Sequence, residues 1–207
     1  MVDIFSAKLY NKIMKNKYIT KDIVYIAIFV ALMTVFTLFV SIPFYPVPLT
    51  FQTVICVLSG LLLGAKRGTA AMLIYVFAGL VLAMPIFSGG RGGFTAVLSP
   101  TFGYILGFPA AALTAGLIRG KKENAGIKRY FIAALCAFAV CYAIGIPYFL
   151  LIWKYYLGNS DILHAAVSFN IIYMPKDLIL CMLAAPAAKK IATILFLKKD
   201  NGENISK

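Results

Sequence analysis

Basic residues occupy every second gap between the apolar stretches of this chain. Segments 1–22, 65–68, 119–129 and 189–207 hold 5, 2, 5 and 5 of them, which is 17 of the 20 Lys and Arg residues. Cytoplasmic loops of membrane proteins carry excess Lys and Arg, because cationic flanks resist translocation. The pattern therefore predicts an even number of membrane spans, with both termini in the cytoplasm. The three other cations, predicted to lie outside, are Arg91, Lys154 and Lys176.

The composition agrees with a membrane protein and argues against a nucleic-acid partner. The chain is 62% hydrophobic and only 13% charged, whereas soluble domains are about 45–50% apolar. The net charge of +13 is divided among short clusters between apolar runs, so it forms no basic face on a soluble domain. The expected partner of these clusters is the anionic inner surface of the lipid bilayer.

The apolar runs predict an all-α integral membrane protein with six transmembrane helices. A span needs about 20 mostly apolar residues, and the candidates are 23–42, 50–64, 69–84, 101–118, 130–153 and a last helix that begins near Pro175 and passes Ala188. Residues 23–197 would form one membrane domain, and 198–207 a cytoplasmic tail. Residues 1–22 predict a cytoplasmic amphipathic segment, with a solvated tail as the alternative for residues 1–19.

The outer connections are longer and richer in special residues than the inner turns. They are the proline-rich Pro43–Pro48, the glycine-containing Pro85–Pro100 and residues 154–174. Long, shaped loops on one face of a rigid scaffold often carry binding sites. We therefore expect the mouth of a ligand pocket at the outer face, with segments 43–49 and 85–99 closing over the ligand.

Two outer elements carry charged candidates for ligand binding. Arg91 lies within Gly89–Gly93, where glycines such as Gly90 allow close backbone approach and the guanidinium suits a carboxylate; the alternative is a solvated turn. Lys176 and Asp177 open the last predicted span. Asp177 could accept hydrogen bonds from ligand N–H groups or merely cap the helix, and Lys176 could hold a ligand carboxylate or reach to water.

Four uncharged residues complete the candidate site. Thr50 and Gln52 stand at the outer start of the second predicted span, and Asn170 and Tyr173 precede Pro175. Their side chains could bind an uncharged polar ligand at the same mouth. The alternative is that they hydrogen-bond to neighbouring helices.

The sequence offers little for catalysis or metal binding. The four cysteines lie inside apolar runs without metal-ligand spacing, and His164 has no companion ligand. No phosphate-binding loop is present, and the spans contain almost no carboxylate to couple transport to an ion gradient. We expect no cofactor and no enzymatic activity. An intramembrane enzyme or a structural subunit remains a remote alternative.

Five segments in order resemble one family, the BioY proteins, which are the biotin-binding S components of energy-coupling factor (ECF) transporters. The resemblance runs from about residue 23 to residue 190. It rests on PVPLTFQT at 46–53, SGLLLGAKRG at 59–68, FSGGRGG at 87–93, SPTFGYILGF at 99–108 and PKD at 175–177.

The resemblance implies a six-helix protein of a prokaryotic cell membrane that binds biotin at its outer face. It also implies association with a T component and two ABC-type ATPases. Ala27 and Ala31 match the small-residue pattern of the docking face on the first helix. BioY proteins commonly place a lysine three residues after the aspartate, where this chain has Leu180. An S component for another vitamin is therefore the alternative.

Overall fold

The computed structural model describes residues 2–40, 49–120, 125–158 and 161–204, and the regular elements within these ranges are helices, without strands. A 3-10 turn lies at Phe94–Leu98, and a π-helical turn at Ile152–Tyr156 extends the fourth helix. The helices are α1 (Val2–Leu38), α2 (Gln52–Leu80), α3 (Phe102–Arg119), α4 (Ile127–Leu151) and α5 (Ile162–Asn204).

Four helical segments in the described part of the chain are long and apolar enough to cross a membrane. They are Thr20–Leu38, Gln52–Leu80, Phe102–Arg119 and Ile127–Tyr156. Large apolar side chains such as Ile28, Leu73, Ile132 and Leu183 point outward from the bundle. In water such a surface would favour aggregation, whereas in a bilayer these side chains contact lipid.

Helix α2 turns back on itself at Gly64. This residue has φ 79° and ψ 176°, a conformation that glycine adopts without steric cost. The side chains of Gln52 and Tyr75 then meet, with Nε2 2.9 Å from the phenol oxygen, although a straight helix would separate residues 23 positions apart by about 34 Å. Helix α2 therefore consists of two antiparallel arms, residues 52–63 and 65–80, which agree with the second and third predicted spans.

Small residues allow these helices to pack closely. A Cβ atom on Gly60 would overlap the carbonyl of Ala112, and one on Gly116 would overlap the backbone of Ala65. Helix packing in membranes depends on such close backbone approach, because lipid supplies no hydrophobic driving force between helices. The amino-terminal arm of α2 thus runs alongside α3 in the same direction.

The basic turns and the site-bearing connections lie at opposite ends of the bundle. At one end the turn after Gly64 carries Arg67, which is 2.8 Å from Asp22 of α1. Arg119 at the end of α3 is buried there against the ring of Tyr130. The starts of α2 and α3, the end of α4 and residues 81–101 form the other end.

The last helix begins earlier than the sequence predicts. Helix α5 starts at Ile162 and contains Pro175 in its interior, so the prediction that Pro175 opens the last span is wrong. Residues 162–174 are mostly apolar and helix-compatible, and they extend the helix ahead of the proline. Pro175 has no N–H for the carbonyl of Ile171. The 154–174 connection is correspondingly short, because α4 continues to Tyr156 and α5 starts at Ile162.

Two further predictions concern the amino-terminal third of the chain. Segment 1–22 is helical from Val2 onward and continuous with the first span, and its placement on the membrane surface stays a prediction. The proline-rich connection Pro43–Pro48 lies outside the described residues.

Candidate functional site

A cavity opens at the end of the bundle opposite the basic turns. The space between its walls, counted together with the solvent at its open mouth, amounts to about 610 Å³. Four helices and two connections, the one before α2 and the one between α2 and α3, contribute to its wall. The lining residues are Thr50, Gln52, Thr53, Ser88, Thr101, Tyr104, Ile105, Phe108, Tyr142, Phe149, Asn170, Tyr173, Lys176 and Asp177.

Asp177 is the buried acid of this cavity. Its Oδ2 atom accepts hydrogen bonds from the hydroxyls of Thr53 and Tyr142, each at 2.9 Å. These partners come from α2 and α4, whereas Asp177 lies on α5. Because α5 starts at Ile162, Asp177 is not in its first turn, and the predicted alternative of helix capping is wrong. Two hydroxyls and a neighbouring cation stabilise the carboxylate instead.

Lys176 is that neighbouring cation. Its Nζ atom lies 2.8 Å from Oδ1 of Asp177 and also donates to the backbone carbonyl of Thr50. The ammonium group stands 5.5 Å from the centre of the Phe51 ring. The pair brings no net charge into the cavity, which limits the cost of burying either ion.

Gln52 presents an amide to the cavity and belongs to a chain of hydrogen bonds. The Thr50 hydroxyl donates to its Oε1 atom at 3.1 Å. Its Nε2 atom donates to the hydroxyl of Tyr75, which in turn donates to the carbonyl of Ile86 at 2.8 Å. The chain thus leads from the cavity wall to the connection between α2 and α3.

A second amide, that of Asn170, lies across the cavity. Its Oδ1 atom accepts a hydrogen bond from the Tyr104 hydroxyl at 2.8 Å. The Tyr104 ring packs edge-on against the Tyr142 ring at 5.2 Å between centroids. Together with Ile105, Phe108 and Phe149, these rings give the cavity an apolar wall beside its polar groups.

Residues 87–93, here called the glycine-rich segment, reach the cavity through Ser88. The segment forms a turn in which the N–H groups of Gly90 and Arg91 donate to the Phe87 carbonyl, and Gly89 and Gly90 have φ of 76° and 68°. The buried Ser88 hydroxyl has no hydrogen-bond partner among the residues that the structure describes, so it is available to a ligand. Gly90 and Arg91 are exposed and do not line the cavity.

The structure brings six of the eight predicted binding residues together in the cavity wall. These are Thr50, Gln52, Asn170, Tyr173, Lys176 and Asp177. Sequence reasoning missed Thr53, Ser88, Tyr104 and Tyr142. Of these, Thr53 and Tyr142 donate the hydrogen bonds to the buried Asp177. Thr53, Tyr104 and Tyr142 lie inside predicted spans, and polar groups within a membrane usually face the bundle interior. That was the signal that could have identified them.

The relatives found by comparison with known proteins share one description, biotin transporter BioY. The chain is 41% identical over 129 residues to a probable biotin transporter BioY of Lysinibacillus sphaericus, which covers 62% of this chain and 64% of that protein. It is 32% identical over 175 residues to the biotin transporter BioY of Rhizobium etli, covering 80% and 90% of the two chains. Both relatives are named as transporters, not as enzymes.

The fold matches a solved structure of the S component for biotin from an ECF-type ABC transporter. The TM-score is 0.65 and the identity 22%, and the match covers 85% of this chain and 93% of that one. At this identity the likeness establishes the fold. The family model described as BioY matches residues 9–196, and on that match the chain belongs to the BioY family.

Proposed function

We propose that this protein is a biotin-binding S component of an ECF-type importer, without an ATPase site of its own. The observation that carries the proposal is the buried Asp177–Lys176 pair, placed in one cavity with the amides of Gln52 and Asn170. Family membership supports the same function, since the relatives described above are named biotin transporters.

The chemistry of biotin matches the groups in the cavity. Its ureido ring carries two N–H donors and one carbonyl acceptor, and its thiophane ring and pentyl chain are apolar. Asp177 would accept from the ureido N–H groups, and Gln52 or Asn170 would bind the remaining polar edge. Ile105, Phe108 and Phe149 would contact the apolar part. A site built on such hydrogen bonds rejects analogues that lack them by large factors.

The ligand carboxylate requires a cation, and two are available at this end of the bundle. Lys176 lies in the cavity wall, half-buried and bonded to Asp177. Arg91 is exposed on the glycine-rich segment. If segment 85–99 closed over the cavity, Arg91 would reach a ligand at the mouth. Gly90 would then allow the backbone to approach the ligand closely. We propose that Arg91 contributes to carboxylate binding alongside Lys176.

We further propose six membrane spans, with both termini in the cytoplasm of a prokaryotic cell. The two arms of α2 would cross separately, which adds to α1, α3, α4 and α5. The clusters at 65–68, 119–129 and 189–207 would then lie inside, as the excess of cations on cytoplasmic loops requires. The cavity would open to the outside, where an importer meets its substrate.

The energising partners of the proposed importer are a T component and two ABC-type ATPases. Ala27 and Ala31 lie one turn apart on α1 and are both exposed. Small residues on an exposed helix face let a second helix approach closely. We propose this face of α1 as the docking surface for the T component.

The deciding experiment is equilibrium binding of biotin to the purified protein in detergent, with riboflavin, thiamine and desthiobiotin alongside. Tight biotin binding with weak binding of riboflavin and thiamine is the expected result. Folded protein that ignores biotin and binds another vitamin would overturn the proposal. Leu180 would then mark a changed specificity; its side chain is half-buried and does not line the cavity.

A further inference from the structure

Tyr75 lies outside the cavity, yet its hydroxyl joins a cavity residue to the glycine-rich segment. We propose that Tyr75 is a positioning residue for ligand recognition: it fixes the orientation of the Gln52 amide and anchors the backbone that presents Ser88. The ligand meant here is the one of the proposed function. Tyr75 is fully buried on the carboxy-terminal arm of α2, directly behind the lining residue Gln52.

The available protons determine the direction of each hydrogen bond. A phenol has one proton to donate and can also accept. Tyr75 donates this proton to the Ile86 carbonyl at 2.8 Å. The Thr37 hydroxyl stands 3.3 Å from Tyr75, but it donates its own proton to the Met33 carbonyl at 2.6 Å. Toward Gln52, therefore, Tyr75 acts only as an acceptor.

This constraint sets the orientation of the Gln52 amide. Because Tyr75 can only accept, Gln52 must turn its NH₂ group toward the phenol, 2.9 Å away. The amide oxygen then faces the other way and accepts from Thr50. One N–H group and one lone pair remain for a ligand, at defined positions. Without the phenol oxygen, the amide would have no reason to prefer this orientation over the flipped one.

The same hydroxyl anchors the glycine-rich segment at its start. Ile86 is buried, and its carbonyl receives the phenol proton. The next residue, Phe87, packs edge-on against the Tyr75 ring at 5.5 Å and against Phe102 at 5.9 Å. A Cβ atom on Gly79 would overlap the Phe87 ring, so this ring fills its site tightly. The position of Ser88, the following residue, therefore depends on Tyr75.

Tyr148 of α4 provides a control, because it holds the same connection. Its hydroxyl donates to the carbonyl of Val97, so it too holds residues 81–101 by one hydrogen bond. Tyr148 contacts neither Gln52 nor Ile86 through that hydroxyl and does not line the cavity. If these phenols only held the connection in place, Tyr75→Phe and Tyr148→Phe would be equivalent in their effect on ligand selectivity.

The experiment compares biotin with its analogue in which an imino nitrogen replaces the ureido oxygen. Wild type, Tyr75→Phe and Tyr148→Phe are purified in detergent, and the ratio of the two dissociation constants is measured for each. In Tyr75→Phe we expect this ratio to move toward one by about 5-fold or more, the effect of one misdirected hydrogen bond. In Tyr148→Phe the ratio should match that of wild type.

A second measurement needs no ligand. Trypsin cleavage after the exposed Arg91 is followed through the peptide that begins at Gly92. We expect faster cleavage in Tyr75→Phe, because the segment has lost its anchor. Gln52→Glu should also accelerate cleavage, since a carboxylate can only accept and draws the Tyr75 proton away from Ile86. This variant keeps the inference testable if Tyr75→Phe folds poorly.

The outcomes separate this inference from the proposed function. Wild-type protein that binds neither ligand would contradict the proposed function, and the cleavage rates would still decide the anchoring role. An unchanged affinity ratio in Tyr75→Phe, or an equal change in Tyr148→Phe, would overturn the positioning of Gln52. Wild-type cleavage rates in both Tyr75→Phe and Gln52→Glu would overturn the anchoring of the segment.

Discussion

Asp177 accepts a hydrogen bond from Thr53 at 2.9 Å, although the two residues are 124 positions apart in the chain. The contact joins α5 to the start of α2 at the cavity wall, and Tyr142 of α4 completes it at the same oxygen. One carboxylate thus ties together three of the five helices at the site. Binding and helix arrangement therefore depend on the same buried group.

Asp177→Asn should weaken biotin binding by about 100-fold or more while leaving the protein folded. The amide removes the charge that would accept the ureido N–H groups, and hydrogen bonds to charged groups contribute about 1.5–3 kcal/mol each. It also leaves the Lys176 ammonium without its anion. Calorimetric titration with biotin measures the loss. Asp161→Asn, at an exposed position directly before α5, should bind like wild type, and equal affinity in both variants would contradict the assignment of Asp177.

The sequence predicts this site well where polar residues stand out from their surroundings. Gln52, Asn170 and the Lys176–Asp177 pair interrupt apolar runs at the predicted outer ends, and all four line the cavity. The glycine at position 64 likewise lies where the basic gap separates the second span from the third.

Other parts of the site depend on information that spacing does not carry. The meeting of Thr53, Tyr142 and Asp177 requires the packing order of three helices, which no local pattern specifies. The predicted start of α5 was wrong because Pro175 was taken as its first helical residue. When the residues before a proline are apolar, the sequence does not distinguish a proline that opens a helix from one inside it. Arg91 was chosen for its charge, whereas the cavity wall takes Ser88 from the same segment.

Arg91→Ala should lower the affinity for biotin more than the affinity for biotin amide. The guanidinium would pair with the ligand carboxylate, which the amide derivative lacks. Competition binding with both ligands gives the ratio, which should fall by about 10-fold. Lys154→Ala removes another exposed cation that is predicted to lie outside and serves as the control.

If Lys176 also binds the ligand carboxylate, Lys176→Met should reduce the preference for biotin over biotin amide in the same way. It should in addition lower the affinity for both ligands, because Asp177 is left without its cation. If neither Arg91→Ala nor Lys176→Met alters the preference for biotin over its amide, both assignments of the carboxylate partner are wrong.

Gly116→Ala should lower the thermal stability of the protein in detergent. A Cβ atom there would overlap the backbone of Ala65, and overpacking typically costs about 1–3 kcal/mol. The gain in helix propensity from Gly to Ala is about 1 kcal/mol, so the clash should dominate.

Gly126→Ala is the control, because nothing lies within 4 Å of the added Cβ and its φ of −61° suits alanine. Thermal unfolding curves that rank the two variants in the opposite order would contradict the proposed close packing of α2 and α3.

Ala31→Leu should abolish association with the T component and uptake of biotin, while biotin binding to the isolated protein stays at its wild-type value. Ala31 is exposed on α1 and does not line the cavity, and the larger side chain would hold a docking helix away from the α1 backbone. Ala143→Leu on α4 is the matched control, because Ala143 is also exposed but lies on a helix without a proposed docking role. Co-purification with the T component and ATPases of the same cell, together with uptake of labelled biotin, measures the effect.

Equal loss in both variants would indicate a general disturbance of the bundle, and normal assembly of Ala31→Leu would place the docking surface elsewhere. A loss confined to Ala31→Leu would separate the two tasks of this chain, with ligand binding at the end of the bundle and partner docking on the flank of α1.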